Sequence, residues 1–260
     1  MTITAESRFA RYPSLAGRTA FVSGGATGLG AEFVAQLAAQ GVRVAFADVD
    51  RASGAELAAA VADRGHPEPF FQEVDVRDVE ALRNAIVRAA DRLGPPTVLV
   101  SNAANDSRRS VSDIDVAGWD DGIAVNVRHH FFAAQTVRPM MKAAGGGSIV
   151  NLGSISAHID LVDLPVYITA KAGIEGLTRT LAREFGPDGI RVNCIVPGWI
   201  MTQRQLANWV GEAEREKILA AQCLPELLIP ADVARLLLWL AADDSRMATA
   251  QTWVMDGGWQ

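Results

Sequence analysis

Tyr167 and Lys171 stand four residues apart in a stretch with helical spacing, so their side chains share one helix face about one turn from each other. Both come from types the chain hardly uses: it has two tyrosines, Tyr12 and Tyr167, and three lysines among 24 basic residues. A phenol ordinarily ionises near pH 10. Serving as a base near neutrality requires about 3 units of depression, and a neighbouring ammonium can supply much of it. The bland alternative is an ordinary pair on a helix surface. Ser154, in Asn151-Leu152-Gly153-Ser154, follows an apolar run where a hydroxyl could face a cleft, or simply make a turn. Asn126, in Val125-Asn126-Val127, is a poor helix former in a helical stretch, which suggests a buried hydrogen-bonding role or a local kink.

A second constellation suits phosphate. Ser23-Gly24-Gly25-Ala26-Thr27-Gly28-Leu29-Gly30 lies between a β-branched run and a helical stretch. Glycines let such a turn bend and let backbone approach a pyrophosphate, which meets the positive helix end. Asp48 ends the next apolar run 18 residues beyond Gly30, the spacing at which a carboxylate accepts from the adenosine ribose. That charge would repel a 2′-phosphate, and neither Thr27 nor Val49 brings a cation to hold one, so NAD is favoured over NADP. Asp50 better fits the role of helix cap. Asp75 reads as either an adenine contact or a residue leading into a helix.

These residues need elements to hold them. Short apolar runs at Thr19 to Val22, Val42 to Ala47, Phe70 to Val74, Thr97 to Val100, Ser148 to Leu152, Ile190 to Val196 and Thr252 to Met255 predict seven strands. Between them, helical spacing covers Gly30 to Gln40, Ala52 to Arg64, Asp78 to Leu93, roughly Trp119 to Ala143, Val166 to Phe185 and Ala231 to Ala241. Gly41, Gly65, Gly94 and Gly186 stop four of these. Strand and helix in alternation predict an α/β fold: one doubly wound Rossmann domain over 18–260, a seven-stranded parallel sheet with helices on both faces, preceded by an arm over 1–17. Ligands in such sheets sit beyond the carboxyl ends of the strands.

With 260 residues and 49% hydrophobic content, the chain can bury one large core. A net charge of −6 points away from nucleic acid. Two cysteines, Cys194 and Cys223, make no disulfide framework, the apolar runs are too short to span a bilayer, and no leader is visible, so a cytoplasmic protein without a membrane partner is expected. No resident metal is expected.

Taken together, the chain from about Arg18 to Gln260 resembles a short-chain dehydrogenase/reductase of the 250-residue type. The resemblance is carried by Gly24 to Gly30, Asp75-Val76, Asn102-Ala103, Asn126, Ser154, Tyr167-x-x-x-Lys171, Pro197-Gly198 and Asp256-Gly257-Gly258. It implies that Tyr167 is the acid/base, that Lys171 lowers its pKa and binds the nicotinamide ribose, that Ser154 holds the substrate oxygen, and that Asn126 anchors a relay water. It also implies cofactor contacts from Gly24, Thr27, Gly28, Leu29, Gly30, Asp48, Asp75, Val76, Asn102 and Ala103, with Pro197, Gly198, Ile200 and Thr202 at the carboxamide end. Four positions depart from the family pattern: Ser101-Asn102-Ala103-Ala104 replaces Asn-Asn-Ala-Gly at its first and last residues, Gly153 stands where serine is common, and Ala250 where glycine is usual.

A narrower resemblance is to bacterial aldose 1-dehydrogenases of the D-xylose dehydrogenase kind. It rests on Asn105-Asp106-x-Arg108, Arg128-His129, Ser154-Ile155-Ser156 with His158, and Ala221-Gln222-Cys223-Leu224. The implied reaction is hydride transfer from the anomeric carbon of an aldose to NAD, giving an aldonolactone, with Tyr167 as phenolate base. Asn105, Arg108, Ser154, His158, Tyr167 and Trp199 are then the expected substrate contacts, and Asp106 could join them; the alternatives are a loop salt bridge of little consequence for Asp106 and Arg108 and a surface loop position for His158. Trp199 and Trp209 could stack on a sugar or pack a lid. The rival reading is a dehydrogenase of another alcohol, of polyol, 3-hydroxyacyl or steroid type, and a non-catalytic dinucleotide-binding protein is a more distant one. The family usually forms tetramers through the two long helices and the last strand, so a homotetramer is expected, with Trp253 and Trp259 suited to an interface or to the core.

Overall fold

The computed structural model describes residues 9–260. Its sheet contains β1 (Thr19–Ser23), β2 (Arg43–Asp48), β3 (Phe70–Glu73), β4 (Val98–Ser101), β5 (Gly147–Leu152), β6 (Ile190–Pro197) and β7 (Thr252–Met255). All are parallel, in the order β3-β2-β1-β4-β5-β6-β7. The helices are α1 (Gly28–Ala39), α2 (Arg51–Asp63), α3 (Val79–Leu93), α4 (Val116–Ile123), α5 (His129–Ala143), α6 (Pro165–Phe185), α7 (Gln203–Asn208), α8 (Glu212–Ala221) and α9 (Pro230–Ala241). This is a Rossmann-like α/β fold. Every residue of β1, β4 and β6 except Arg191 is buried, because helices cover both faces of a parallel sheet. One core layer joins Val22, Val44 and Val100 to Phe33 and Leu37 of α1 and Leu237 of α9. The other joins Phe21, Leu99 and Ile149 to Ile86 of α3, Val137 of α5 and Leu181 of α6.

Chain order reverses between β1 and β4, which pair with Ser23 opposite Ser101. A crevice opens there beyond the strand ends, as it does in open α/β sheets. The glycine-rich turn leaves β1 on one side and Asn102 leaves β4 on the other. Asn102 fastens them, its Nδ2 donating to the Gly24 carbonyl at 2.8 Å and its backbone N–H to Ser23 Oγ at 3.1 Å.

The arm expected over 1–17 falls partly outside the described residues, at 1–8. Over the rest, the boundary at Arg18 follows a stretch already docked on the domain: Leu15 is fully buried in the first core layer, and Tyr12 N–H donates to Gln40 Oε1 at 2.9 Å. The long helical stretch from Trp119 is two helices joined by a π-helical turn over Ala124–Arg128 that contains Asn126. The predicted strand and helix limits otherwise shift by up to three residues, and α7 and α8 come in addition. Two departures from the family pattern have structural consequences. Ala250 sits at φ 60°, a left-handed conformation that glycine adopts without strain. At Gly153 any Cβ would lie 2.9 Å from Val196 and 3.0 Å from the Cys194 sulfur, so a side chain would have to displace β6 atoms.

Candidate active site

A cavity of about 780 Å³ follows the crevice from Asp48 and Asp75 at one end to Ser154, Tyr167 and the α7 lid at the other. Among the residues singled out from sequence it is lined by Gly24, Thr27, Gly28, Leu29, Val76, Asn102, Ala103, Asn105, Arg108, Lys171, Pro197, Gly198, Trp199, Ile200 and Thr202. Gly30 lies beneath instead: a Cβ there would overlap the Gly24 carbonyl oxygen, so its absence lets the turn close on the first turn of α1. Asn126 and His158 also lie outside this cavity.

At the phosphate end, Thr27 is the N-cap of α1 but its side chain caps nothing. Asp50, Asp78 and Asp115 do cap α2, α3 and α4, each accepting an N–H of its own first turn. The first-turn N–H groups of α1 are therefore left for a ligand anion. Asp48 tightens the turn, its Oδ2 accepting the Ala26 N–H at 2.9 Å and its Oδ1 the Asp50 N–H at 3.1 Å. Asp75 is held below the usual carboxylate range by the Arg77 guanidinium, whose Nη2 lies 2.6 Å from its Oδ2. Arg77 also reaches Asp121 at 2.8 Å, so this end of the cavity has a charged wall that sequence spacing did not reveal.

At the other end, α6 starts with Pro165 in its first turn and carries Tyr167 and Lys171 inward. Lys171 Nζ donates to the Leu152 carbonyl at the end of β5 at 2.7 Å and lies 5.5 Å from the Tyr167 ring centre. Burial pushes the Tyr167 phenol up to about 12, against the neighbouring Ser154 hydroxyl, while the Asp106 charge raises it further and Arg204 lowers it. Burial also pushes Lys171 down to about 8. Ser154 Oγ accepts from Ser156 N–H at 3.2 Å and from Ser156 Oγ at 2.9 Å, which leaves its own proton to donate into the cavity.

His158 departs from the sequence reading. The His158 ring is turned to α6, its Nε2 2.6 Å from Glu175 Oε1; an anionic partner on the adjoining helix holds it away from the substrate side. Asn126 is buried, with Oδ1 accepting the Asn105 N–H at 2.8 Å and Nδ2 donating to the Asn105 and Gly122 carbonyls at 3.1 and 3.0 Å. It thereby shapes the Asn105 loop, and it faces a recess of about 70 Å³ that Tyr167 also lines, roomy enough for water. Just beyond, His129 and His130 are fully buried. His129 is pushed down to about 3 by burial and, being neutral, donates Nε2–H to the Ala103 carbonyl at 2.9 Å, bracing the cavity wall.

The lid adds residues that went unread. Thr202-Gln203-Arg204-Gln205 has the Thr-x-x-Gln spacing of a helix start, and Thr202 Oγ1 accepts the Gln205 N–H at 3.3 Å. That signal could have placed Arg204 and Gln205 at the cavity. Trp259 also lines it, so this residue is part of the site in the chain itself, while Trp253 packs edge-on against Trp239. Trp209 stacks with Arg108, whose guanidinium carbon is 4.6 Å from the ring centre.

A family model described as enoyl-(acyl carrier protein) reductase matches residues 24–260. The chain belongs to the short-chain dehydrogenase/reductase family. As a short-chain dehydrogenase/reductase it is an oxidoreductase acting on CH–OH groups and takes a nicotinamide dinucleotide. The uncapped α1 terminus, the glycine turn and the cavity length fit that cofactor. The chain is 44% identical over 249 residues to "D-xylose 1-dehydrogenase" of Caulobacter vibrioides, covering 96% of this chain and 98% of the relative. It is also 44% identical over 248 residues to "Probable galactose dehydrogenase GalD" of Rhizobium meliloti, covering 95% and 97%. A blue fluorescent protein from a metagenomic library, solved in complex with NADPH, superposes with a TM-score of 0.87 at 32% identity, covering 95% of this chain and 99% of that one.

Proposed function

We propose that the protein oxidises the anomeric carbon of a cyclic aldose with NAD, releasing an aldonolactone. The observation that carries this reading is 44% identity over nearly the full length to two proteins, one named D-xylose 1-dehydrogenase and the other probable galactose dehydrogenase. The cavity wall facing Tyr167 supports it: Asn105, Asp106, Arg108, Arg204 and Gln205 offer the donors and acceptors that a ring of hydroxyls requires. Ser154 donates its free proton to the anomeric oxygen, orienting it toward Tyr167. Tyr167 as phenolate removes the hydroxyl proton while the C1–H leaves as hydride. Lys171 holds the cofactor ribose and keeps positive charge beside the phenol, and water in the recess at Asn126 carries the proton outward. A nicotinamide dinucleotide held by the glycine turn, the α1 terminus and Lys171 would supply the hydride acceptor and a positive charge where burial otherwise opposes the phenolate. A panel of aldoses, polyols and hydroxyacyl compounds assayed for NADH formation tests the reading. Turnover of aldoses is expected, and a response confined to the polyol or acyl members would overturn it.

NAD is the preferred cofactor because Asp48 presents its charge where a 2′-phosphate would lie. Asp48→Ala is expected to narrow the NAD-over-NADP ratio of kcat/KM by roughly one to two powers of ten, most of it through KM for NADP. A wild-type enzyme that already favours NADP would contradict the assignment. Cofactor use and two unpaired thiols suit a reducing, cytoplasmic setting. A homotetramer is supported by the exposed Val116, Trp119 and Phe131 around α4 and α5 and by β7 standing at the sheet edge.

A further inference from the structure

The α7 lid and the loop after β4 meet in a string of polar side chains whose direction is fixed. Trp199 Nε1 can only donate, so the Gln205 atom 3.0 Å from it is the amide oxygen. The Gln205 amide nitrogen therefore points to Asp106 Oδ2, at 3.1 Å, and Arg204 Nη2 meets Asp106 Oδ1 at 2.8 Å. Each carboxylate oxygen of Asp106 thus accepts from a different lid residue. All four side chains line the cavity that holds Tyr167, and the charges of Asp106 and Arg204 both act on its phenol. The Asp106–Arg204 pair is open to water, with side chains 28% and 55% exposed, so it adds little to stability and opens readily.

We propose that Asp106, presented by Gln205 and Arg204, is the specificity-determining residue that reads two neighbouring hydroxyls of the sugar ring. The proposal rests on the aldose reading and goes beyond it by naming the group that tells one hydroxyl pattern from another. A carboxylate is acceptor-only and has room for two neighbouring O–H donors. A substrate that brings both replaces the lid donors one for one, and Arg204 and Gln205 turn to donate to the same hydroxyl oxygens. A substrate lacking one hydroxyl leaves a carboxylate lone pair unpaired inside a closed cavity, which is how polar sites reject deoxy analogues. Lid closure and hydroxyl recognition are then one event, because the same carboxylate serves both.

The test compares kcat/KM for the preferred aldose and its 2-, 3- and 4-deoxy analogues in wild type and Asp106→Asn, with Asp106→Ser as a second variant and thermal melting as a check on folding. In wild type, removal of one or two particular hydroxyls is expected to cost roughly ten- to hundredfold. In both variants that particular penalty falls to within about threefold, because the charged carboxylate that took both hydroxyls is gone, while the other positions keep their wild-type ratios. If the variants slow the parent sugar and every analogue by the same factor, Asp106 only clasps the lid and the proposal is overturned. Absence of aldose turnover by wild type removes the aldose reading and this assignment together, whereas turnover with position-blind losses removes this assignment alone.

Discussion

Tyr167→Phe is expected to lower kcat for substrate oxidation by a factor of roughly 10² to 10⁴, the range that a positioned acid–base group contributes. Dinucleotide affinity, measured by quenching of the protein's own fluorescence, is expected to change by less than about threefold. The substitution keeps the ring that lines the cavity and deletes only the hydroxyl beside Ser154, so the wall of the cavity is preserved. The Ser154 hydroxyl remains to orient a substrate oxygen, but no group takes its proton. In wild type the same logic fixes a pH trend. A base must be deprotonated to act, and burial pushes this phenol up to about 12, so kcat/KM rises with pH across the neutral and mildly alkaline range. Cofactor binding brings the midpoint down by adding positive charge, hence the apparent pKa should be lower in kcat than in the ligand-free phenol. In the phenylalanine variant the residual rate loses this rise. Retained turnover in Tyr167→Phe would remove Tyr167 from the role of base and return the Tyr/Lys pair to a structural one.

How much of this could be read from residues alone depends on the range over which each feature is specified. Strand content, the glycine turn and the Asp48 spacing are local patterns, and each is where periodicity and helix-stop signals put it: Gly41, Gly65 and Gly94 all adopt positive φ just beyond a helix. Asn126 was flagged because a buried amide is costly in a helix, and it sits in a π-helical turn bonded to the loop it shapes. What resisted was set by packing between distant elements. His158 has no local signal for Glu175, which lies 17 residues away on another helix. Arg204 and Gln205 become part of the site only because a short polar helix folds over the loop after β4, a contact spanning 99 residues from Asp106. Helices α7 and α8 carry no long apolar stripe, α7 burying none of its residues and α8 only Ile218, and hydrophobic periodicity therefore passes over them. The sign of the phenol shift was also out of reach. Spacing supplies the neighbouring ammonium, but only the fold shows that desolvation is the leading influence on both groups, raising the phenol and lowering the ammonium.

That burial makes Lys171 an asset to the reaction and a burden on the fold, and Lys171→Met separates the two. The variant is expected to lose a factor of roughly 10² to 10³ in kcat/KM and to bind dinucleotide more weakly, because the ammonium near the phenol and ribose is gone. Its thermal midpoint without cofactor is nonetheless expected to rise at pH 7. The ammonium is depressed to about 8 in the fold from an ordinary value of 10.5, so charging it at neutral pH costs the folded state about 3 kcal/mol relative to the unfolded chain. Deleting its bond to the Leu152 carbonyl gives back about 1 kcal/mol of that. The remainder corresponds to a rise of roughly 4 to 8 °C in a chain of this size. The pH dependence follows from the sign of the shift. Below about pH 8 both states of the wild type hold the proton and the cost is complete. Between 8 and 10.5 the folded state has released it while the unfolded state still binds it, so wild-type stability gains on the methionine variant as pH rises. Melting curves of both proteins at pH 7 and pH 10 therefore check the argument: the gap must be wide at the lower pH and nearly closed at the higher. A methionine variant less stable than wild type at pH 7, or a gap that does not narrow, would show that Lys171 is held in the fold by favourable contacts and not at the expense of stability for the sake of catalysis.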